Sequence, residues 1–160
     1  MSRALSLIVL VTVALAIAQP ASADLTAFVG STRSLSSRSA RGGAIGVSLA
    51  IVGFEFEYSD TFEDTLRNAP GLQSSMFNLL VQTPFALARL QFYGTVGGGL
   101  YRERLSGNAD TGVGSNIGAG VKVSLVGPLR VRFDYRAFRL RGSSTDRTPQ
   151  RAYVGFNLAF

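Results

Sequence analysis

Histidine, cysteine and tryptophan are absent from the 160 residues, and Lys122 is the single lysine. Without histidine the chain lacks the commonest general base, the usual zinc ligand and the middle member of a serine triad. Without cysteine it has neither a disulfide framework nor a thiolate metal site, and cysteine usage leaves the redox compartment undecided. Charge is sparse: 16% of residues are charged and 46% are hydrophobic, a composition that folds as one domain. No catalytic residue, cofactor site or metal site is assigned, and the chain is expected not to be an enzyme. No apolar run is long enough for a membrane-spanning helix, the charge-free stretch 4–18 being too short to cross with confidence.

What the N-terminus does contain is an export pattern. Met1-Ser-Arg3 is a short basic start, residues 4–18 form an apolar segment, and Ala21-Ser22-Ala23 is a small-x-small cleavage site. Cleavage between Ala23 and Asp24 is expected, making residues 1–23 a signal peptide and residues 24–160 the mature domain.

From Asp24 onward the hydrophobic pattern has period two and little helical periodicity. Phe54, Phe56 and Tyr58 alternate with Glu55, Glu57 and Ser59, as they do in a strand with one apolar and one polar face. Similar alternation marks strands near 25–32, 43–50, 54–59, 73–82, 88–104, 115–125, 129–141 and 151–160, separated by turn signals such as Gly127-Pro128. Eight is an even number of strands. Connections read as alternately long (33–41, 60–71, 105–114, 142–149) and tight (51–53, 83–87, 126–128). In an up-and-down barrel this puts every long loop at one rim and both chain ends at the other.

The final strand, Arg151 to Phe160, ends the sequence on an aromatic residue and exposes unpaired backbone groups that pairing with the first strand would satisfy. Gly155, Leu158 and Phe160 resemble the glycine, hydrophobic and aromatic positions of the C-terminal signal of bacterial outer-membrane β-barrels. Val154 departs from that pattern, which usually has a polar residue there. The resemblance implies recognition by the barrel assembly machinery.

The two faces of the strands differ in kind. One carries Phe54, Phe56, Phe77, Phe92, Phe133, Tyr135 and Phe156, too many rings for so narrow a barrel; the other is rich in glycine and small residues, among them Gly46, Thr95, Gly97, Gly118 and Gly120. The apolar face is therefore expected outside, against lipid. With its export signal and the glycine-interrupted strands 93–101 and 118–125, the chain resembles the small outer-membrane β-barrels of the outer-membrane protein A and X type. The fold class expected is all-β: an eight-stranded antiparallel up-and-down transmembrane β-barrel. The resemblance implies a monomer in the outer membrane of a Gram-negative-type bacterium, with long loops extracellular and both termini periplasmic. Its partner is outer-membrane lipid, and its role is in envelope integrity or surface contact; no peptidoglycan-anchoring role is implied. Some members of that larger group are enzymes that depend on a histidine, which this chain does not have. A narrow passive channel and a secreted soluble ligand binder are the alternative readings.

The net charge of +6 raises nucleic acid as a partner, but Arg130, Arg132 and Arg136 share a strand face with Asp134, which favours a lumen network and no nucleic acid. Asp60, Glu63, Asp64, Asp110 and Asp146 lack any metal-ligand spacing and read as a solvated rim. The lumen is expected to be plugged by Arg89, Lys122, Arg130, Arg132, Arg136 and Arg151 against Glu55, Glu57, Glu103 and Asp134, with the Glu55–Glu57 pair level with Arg130 and Arg132.

Overall fold

The computed structural model describes residues 21–34, 36–84, 86–142 and 147–160. The apolar segment expected to be a signal peptide lies outside the described residues up to Pro20. Eight strands follow: β1 (Ser22–Arg33), β2 (Ser37–Leu49), β3 (Val52–Thr61), β4 (Gly71–Gln82), β5 (Leu90–Leu105), β6 (Asn108–Val126), β7 (Leu129–Leu140) and β8 (Gln150–Ala159). Each pairs antiparallel with the next, and β8 returns to β1, closing the barrel. The seam runs from Asp24 opposite Ala159 to Arg33 opposite Gln150. At its end Ala23 and Phe160 exchange two backbone hydrogen bonds of 2.7 and 2.9 Å, so no edge is left unpaired there.

Alternation decides the faces. Phe54, Phe77 and Phe156 point outward with more than half their surface exposed, whereas Glu55, Glu57, Asp134 and Arg136 point inward and are buried. The molecule is inverted relative to a water-soluble barrel, with an apolar wall outside and charge within.

The connections correct one expectation. Long and short do not strictly alternate: the stretches read as loops at 33–41 and 105–114 are mostly strand, leaving only residues 34–36 and the turn Ser106-Gly107. Ser106 and Gly107 both have positive φ (50° and 88°), as a two-residue type I′ hairpin turn requires. The physical reason is that the strands continue past the apolar wall. On β2 the outward residues there are polar (Ser37, Ser39 and Arg41), while Arg38 and Ala40 still point inward and are buried; on β6 the polar and glycine residues Asp110, Gly112 and Gly114 alternate with Ala109, Thr111 and Val113. The longer connections on that rim are 62–70, which holds a short 3-10 turn (Thr65–Arg67), and 141–149. The opposite rim carries 50–51, 83–89, 127–128 and both ends of the strand ring. The first is the loop-side rim and the second the turn-side rim.

An eight-stranded lumen has room for side chains and little else, and glycine decides where the large ones go. Gly120 sits beside Tyr93 in the β5–β6 ladder, and a Cβ there would overlap the Tyr93 hydroxyl and the Phe133 carbonyl oxygen. Gly120→Ala is therefore expected to destabilise the barrel by about 1–3 kcal/mol, the usual cost of overpacking, seen as a lowered urea midpoint. A midpoint equal to wild type would show that Tyr93 has room to move. Toward the loop side the lumen turns apolar, with Leu72, Met76, Tyr101, Phe138 and Leu140 forming a buried cluster above the charged layers.

Candidate functional site

The middle of the lumen is filled by charge arriving from strands on opposite walls. Successive inward positions of β7 supply Arg132, Asp134 and Arg136, and those of β3 supply Glu55, Glu57 and Ser59. Arg132 pairs with Glu55 and lies 3.1 Å from Asp134. Arg136 reaches Glu55 at 2.8 Å and, through Nε, Asp134 at 2.9 Å. Its Nη1 is 3.2 Å from Glu57 Oε2, close enough for an ion pair, although the two atoms are not aligned for a hydrogen bond. From β8, Arg151 pairs with the other oxygen of Glu57 and donates to Ser59 Oγ. Arg132, Arg136, Arg151 and Glu57 are essentially without solvent exposure.

Aromatic rings and amides complete the layer. The Tyr93 hydroxyl donates to Asp134 and accepts from Arg132 Nε at 2.7 Å, while the Arg132 guanidinium also lies 4.7 Å from the centre of the Tyr93 ring. Arg151 is held between Phe28 and Phe138, at 5.1 and 5.0 Å from their centres, and Phe28 stacks on Tyr153 at 4.0 Å. A guanidinium on an aromatic face keeps part of its stabilisation without water. Asn78 donates to Glu55 at 3.3 Å and accepts from Asn116 at 2.9 Å. Nearer the turn side, Lys122 pairs with Asp24, and Asn157 donates to Thr26 at 2.9 Å.

Of the ten lumen residues expected from sequence, the structure brings together Glu55, Glu57, Lys122, Arg132, Asp134, Arg136 and Arg151 as buried members of this interior. Arg130 is half-buried at the turn-side rim, where it donates to Gln91 at 3.2 Å. Glu103 is buried but lies toward the loop side, beyond Tyr101. Arg89 must be corrected: it is exposed in the turn before β5, with φ of 71°, and Gln91 takes the inward position expected of it. The levels also need correcting, since Glu55 and Glu57 meet Arg132, Arg136 and Arg151 rather than Arg130. Asp24 enters as an unexpected fourth acid, so Asp24, Glu55, Glu57 and Asp134 face Lys122, Arg132, Arg136 and Arg151. The expected excess of cations is absent from this central layer. Tyr93, Tyr153, Asn78 and Asn116 were likewise not singled out, although alternation alone puts Tyr93 on the same inward face as Thr95 and Gly97.

At the seam, Gly155 faces inward against Phe28, Leu158 faces outward, and the Phe160 side chain is exposed. Ala23 and Asp24, the expected cleavage pair, lie inside β1. Among the described residues no three acidic side chains gather as a metal site.

Several solved structures are similar to this barrel. The N-terminal β-barrel domain of Pseudomonas aeruginosa OprF matches with a TM-score of 0.67 at 18% identity, over 89% of this chain and 99% of that one. Neisserial surface protein A matches at 0.66 and 14% identity, over 89% and 97%. Ail, the attachment invasion locus protein of Yersinia pestis, solved in complex with the heparin analogue sucrose octasulfate, matches at 0.53 and 12% identity, over 88% and 98%. No family model matches the sequence, and no curated protein does. The fold is that of the small eight-stranded outer-membrane β-barrels.

Proposed function

We propose that the protein is a non-enzymatic, monomeric integral barrel of the outer membrane of a Gram-negative-type bacterium. Its role is in envelope integrity or surface contact through the loop-side rim, with both termini periplasmic. The observation that carries this reading is the inverted polarity: a wall of exposed Phe, Leu, Ile and Val around a buried, charge-balanced interior. Water would penalise that wall, and hydrocarbon would not. The same wall argues against a secreted soluble binder, and the filled lumen argues against a passive channel. On this reading residues 1–23 are a signal peptide removed before Asp24, and Gly155, Leu158 and Phe160 are read by the assembly machinery. Cleavage there keeps Asp24, with its ladder partner Ala159, at the start of β1.

Trypsin added to intact cells tests location and orientation together. Arg67 is exposed in the loop-side connection 62–70, and Arg89 is exposed in the turn-side connection 83–89. Cleavage after Arg67 with Arg89 spared is expected. The reverse pattern would invert the topology, and recovery of the protein from the aqueous phase of a detergent partition would overturn membrane residence.

A further inference from the structure

The apolar wall is not evenly filled. In one row of outward positions Phe156 on β8 is followed by Ala27 on β1, Gly43 on β2 and Tyr58 on β3, each the ladder partner of the one before. Two neighbouring strands thus offer a single methyl group between two exposed rings. The dent is an open groove of about 860 Å³, lined throughout by described residues.

Its two ends differ in chemistry. The groove begins over Val131 on β7, two residues from the turn-side start of that strand, and finishes beside Gln73 on β4, two residues from its loop-side start. From β7 across the seam to β4 is five strand spacings, about 24 Å, more than the roughly 15 Å that the chains of one leaflet occupy. The turn-side part is hydrocarbon, from Val131 past Phe156 to Ala27. At the loop-side end the ladder partners Arg41 and Asp60 both line the groove. The Arg41 guanidinium lies over the Phe62 ring at 4.9 Å, and Asp60 pairs through Oδ1 with Arg104 at 3.4 Å. A cation and a carboxylate therefore stand side by side without being joined to each other. Guanidinium forks suit phosphate oxygens, and a carboxylate suits an ammonium with N–H donors.

We propose that this groove binds one phospholipid of the loop-side leaflet with a phosphoethanolamine headgroup, its phosphate on Arg41, its ammonium on Asp60 and an acyl chain running over Ala27 and Gly43 toward Val131. A headgroup with only negative charge would meet Asp60, and one with only positive charge would meet Arg41; a headgroup carrying both satisfies the pair. The gradient from hydrocarbon to paired charge along one narrow groove is that of a single lipid molecule. The inference rests on the membrane reading above and adds a ligand class to it.

The test is native mass spectrometry of the barrel from detergent micelles that hold equimolar phosphatidylethanolamine and phosphatidylcholine of the same chains. Wild type is expected to retain one lipid and to prefer ethanolamine over choline about tenfold, the scale of one charge-assisted hydrogen bond, because the trimethylated headgroup has no N–H for Asp60. Asp60→Asn should bring the two lipids near parity. Arg41→Gln, and Ala27→Leu, which fills the groove, should each lower retention of both. Arg89→Gln at the opposite rim and Ala119→Leu on β6, a strand that does not line the groove, should keep wild-type retention and preference. Equal retention of the two lipids by wild type, or Arg41→Gln and Ala27→Leu variants that bind as wild type does, would overturn the site. A wild-type mass of two barrels that Ala27→Leu reduces to one would assign the groove to a second copy of the chain and overturn the lipid. Heat-modifiable gel mobility of the same proteins in vesicles separates the two levels: a barrel that does not insert refutes the membrane reading, and this site with it. One that inserts and retains neither lipid refutes the site alone.

Discussion

Arg136→Met is expected to cost the barrel about 3–5 kcal/mol, the penalty for breaking a buried ion pair from one side. Arg136 is the residue on which three carboxylates converge: Glu55 at 2.8 Å, Asp134 at 2.9 Å and Glu57 at 3.2 Å. Methionine replaces much of the volume but none of the charge. Glu55 and Asp134 would keep Arg132, and Glu57 would keep Arg151, yet four acids would face three cations with no water to screen them. Urea unfolding of the reconstituted protein measures the loss, against Glu63→Ala, an exposed change expected to stay within about 0.5 kcal/mol. The combination Arg136→Met/Glu55→Gln should recover part of the loss, because it restores the charge balance while Arg132 keeps Asp134 and Arg151 keeps Glu57, and the double-mutant cycle isolates that term. A single-variant loss below about 1 kcal/mol would mean that the lumen is wet enough to solvate these groups.

The second large effect is electrical. Wild-type protein in a planar bilayer is expected to pass little or no steady current, since Arg132, Arg136, Arg151, Tyr101 and Met76 are among the largest fully buried side chains and fill the lumen. Any current that opens in variants should take its sign from the charge left behind. Glu57→Ala leaves four cations facing three acids and should favour anions. Arg132→Gln/Arg136→Gln leaves four acids facing two cations and should favour cations. Reversal of selectivity between the two would place the current inside the barrel and not at its lipid-facing surface. A large, stable current in wild type would refute the plugged lumen and restore the channel reading.

Much of this was legible in sequence, because a barrel wall writes its two faces with period two. Phe54-Glu-Phe-Glu-Tyr58 gives the polarity of β3 directly, and the abundance of rings set against glycine says which face is outside. The misreadings have physical causes. Residues 37–41 look like a loop because their outward positions, Ser37, Ser39 and Arg41, are polar, and residues 108–114 because the alternate positions Asn108, Asp110, Gly112 and Gly114 are polar or glycine, while the ladder continues through both. Arg89 was counted inward from a strand start at Ala88, but Ala88 and Arg89 both have positive φ, and the alternation starts only at Leu90. Asp24 was legible as a cleavage marker and not as the partner of Lys122, since a contact between β1 and β6 leaves no local trace. The stagger that carries Glu57 past Arg130 to Arg136 and Arg151 follows from strand tilt in a closed barrel, which alternation does not encode.

The seam between β1 and β8 has one more implication, for the order in which the molecule becomes itself. Lys122 and Asp24 are 98 residues apart, Arg151 and Glu57 are 94 apart, and Arg136 and Glu55 are 81 apart. None of these pairs joins strands that are neighbours in the ring. An open sheet can therefore complete every hairpin and still hold none of its cross-lumen ion pairs, because the opposing walls meet only when Asp24 to Arg33 has docked on β8. Until that moment the charges remain hydrated and contribute nothing; afterwards they are sealed in together. Closure of the ring and satisfaction of its interior are a single step with a long loop-closure entropy behind it, so a nearly closed barrel has almost none of the finished one's internal reward.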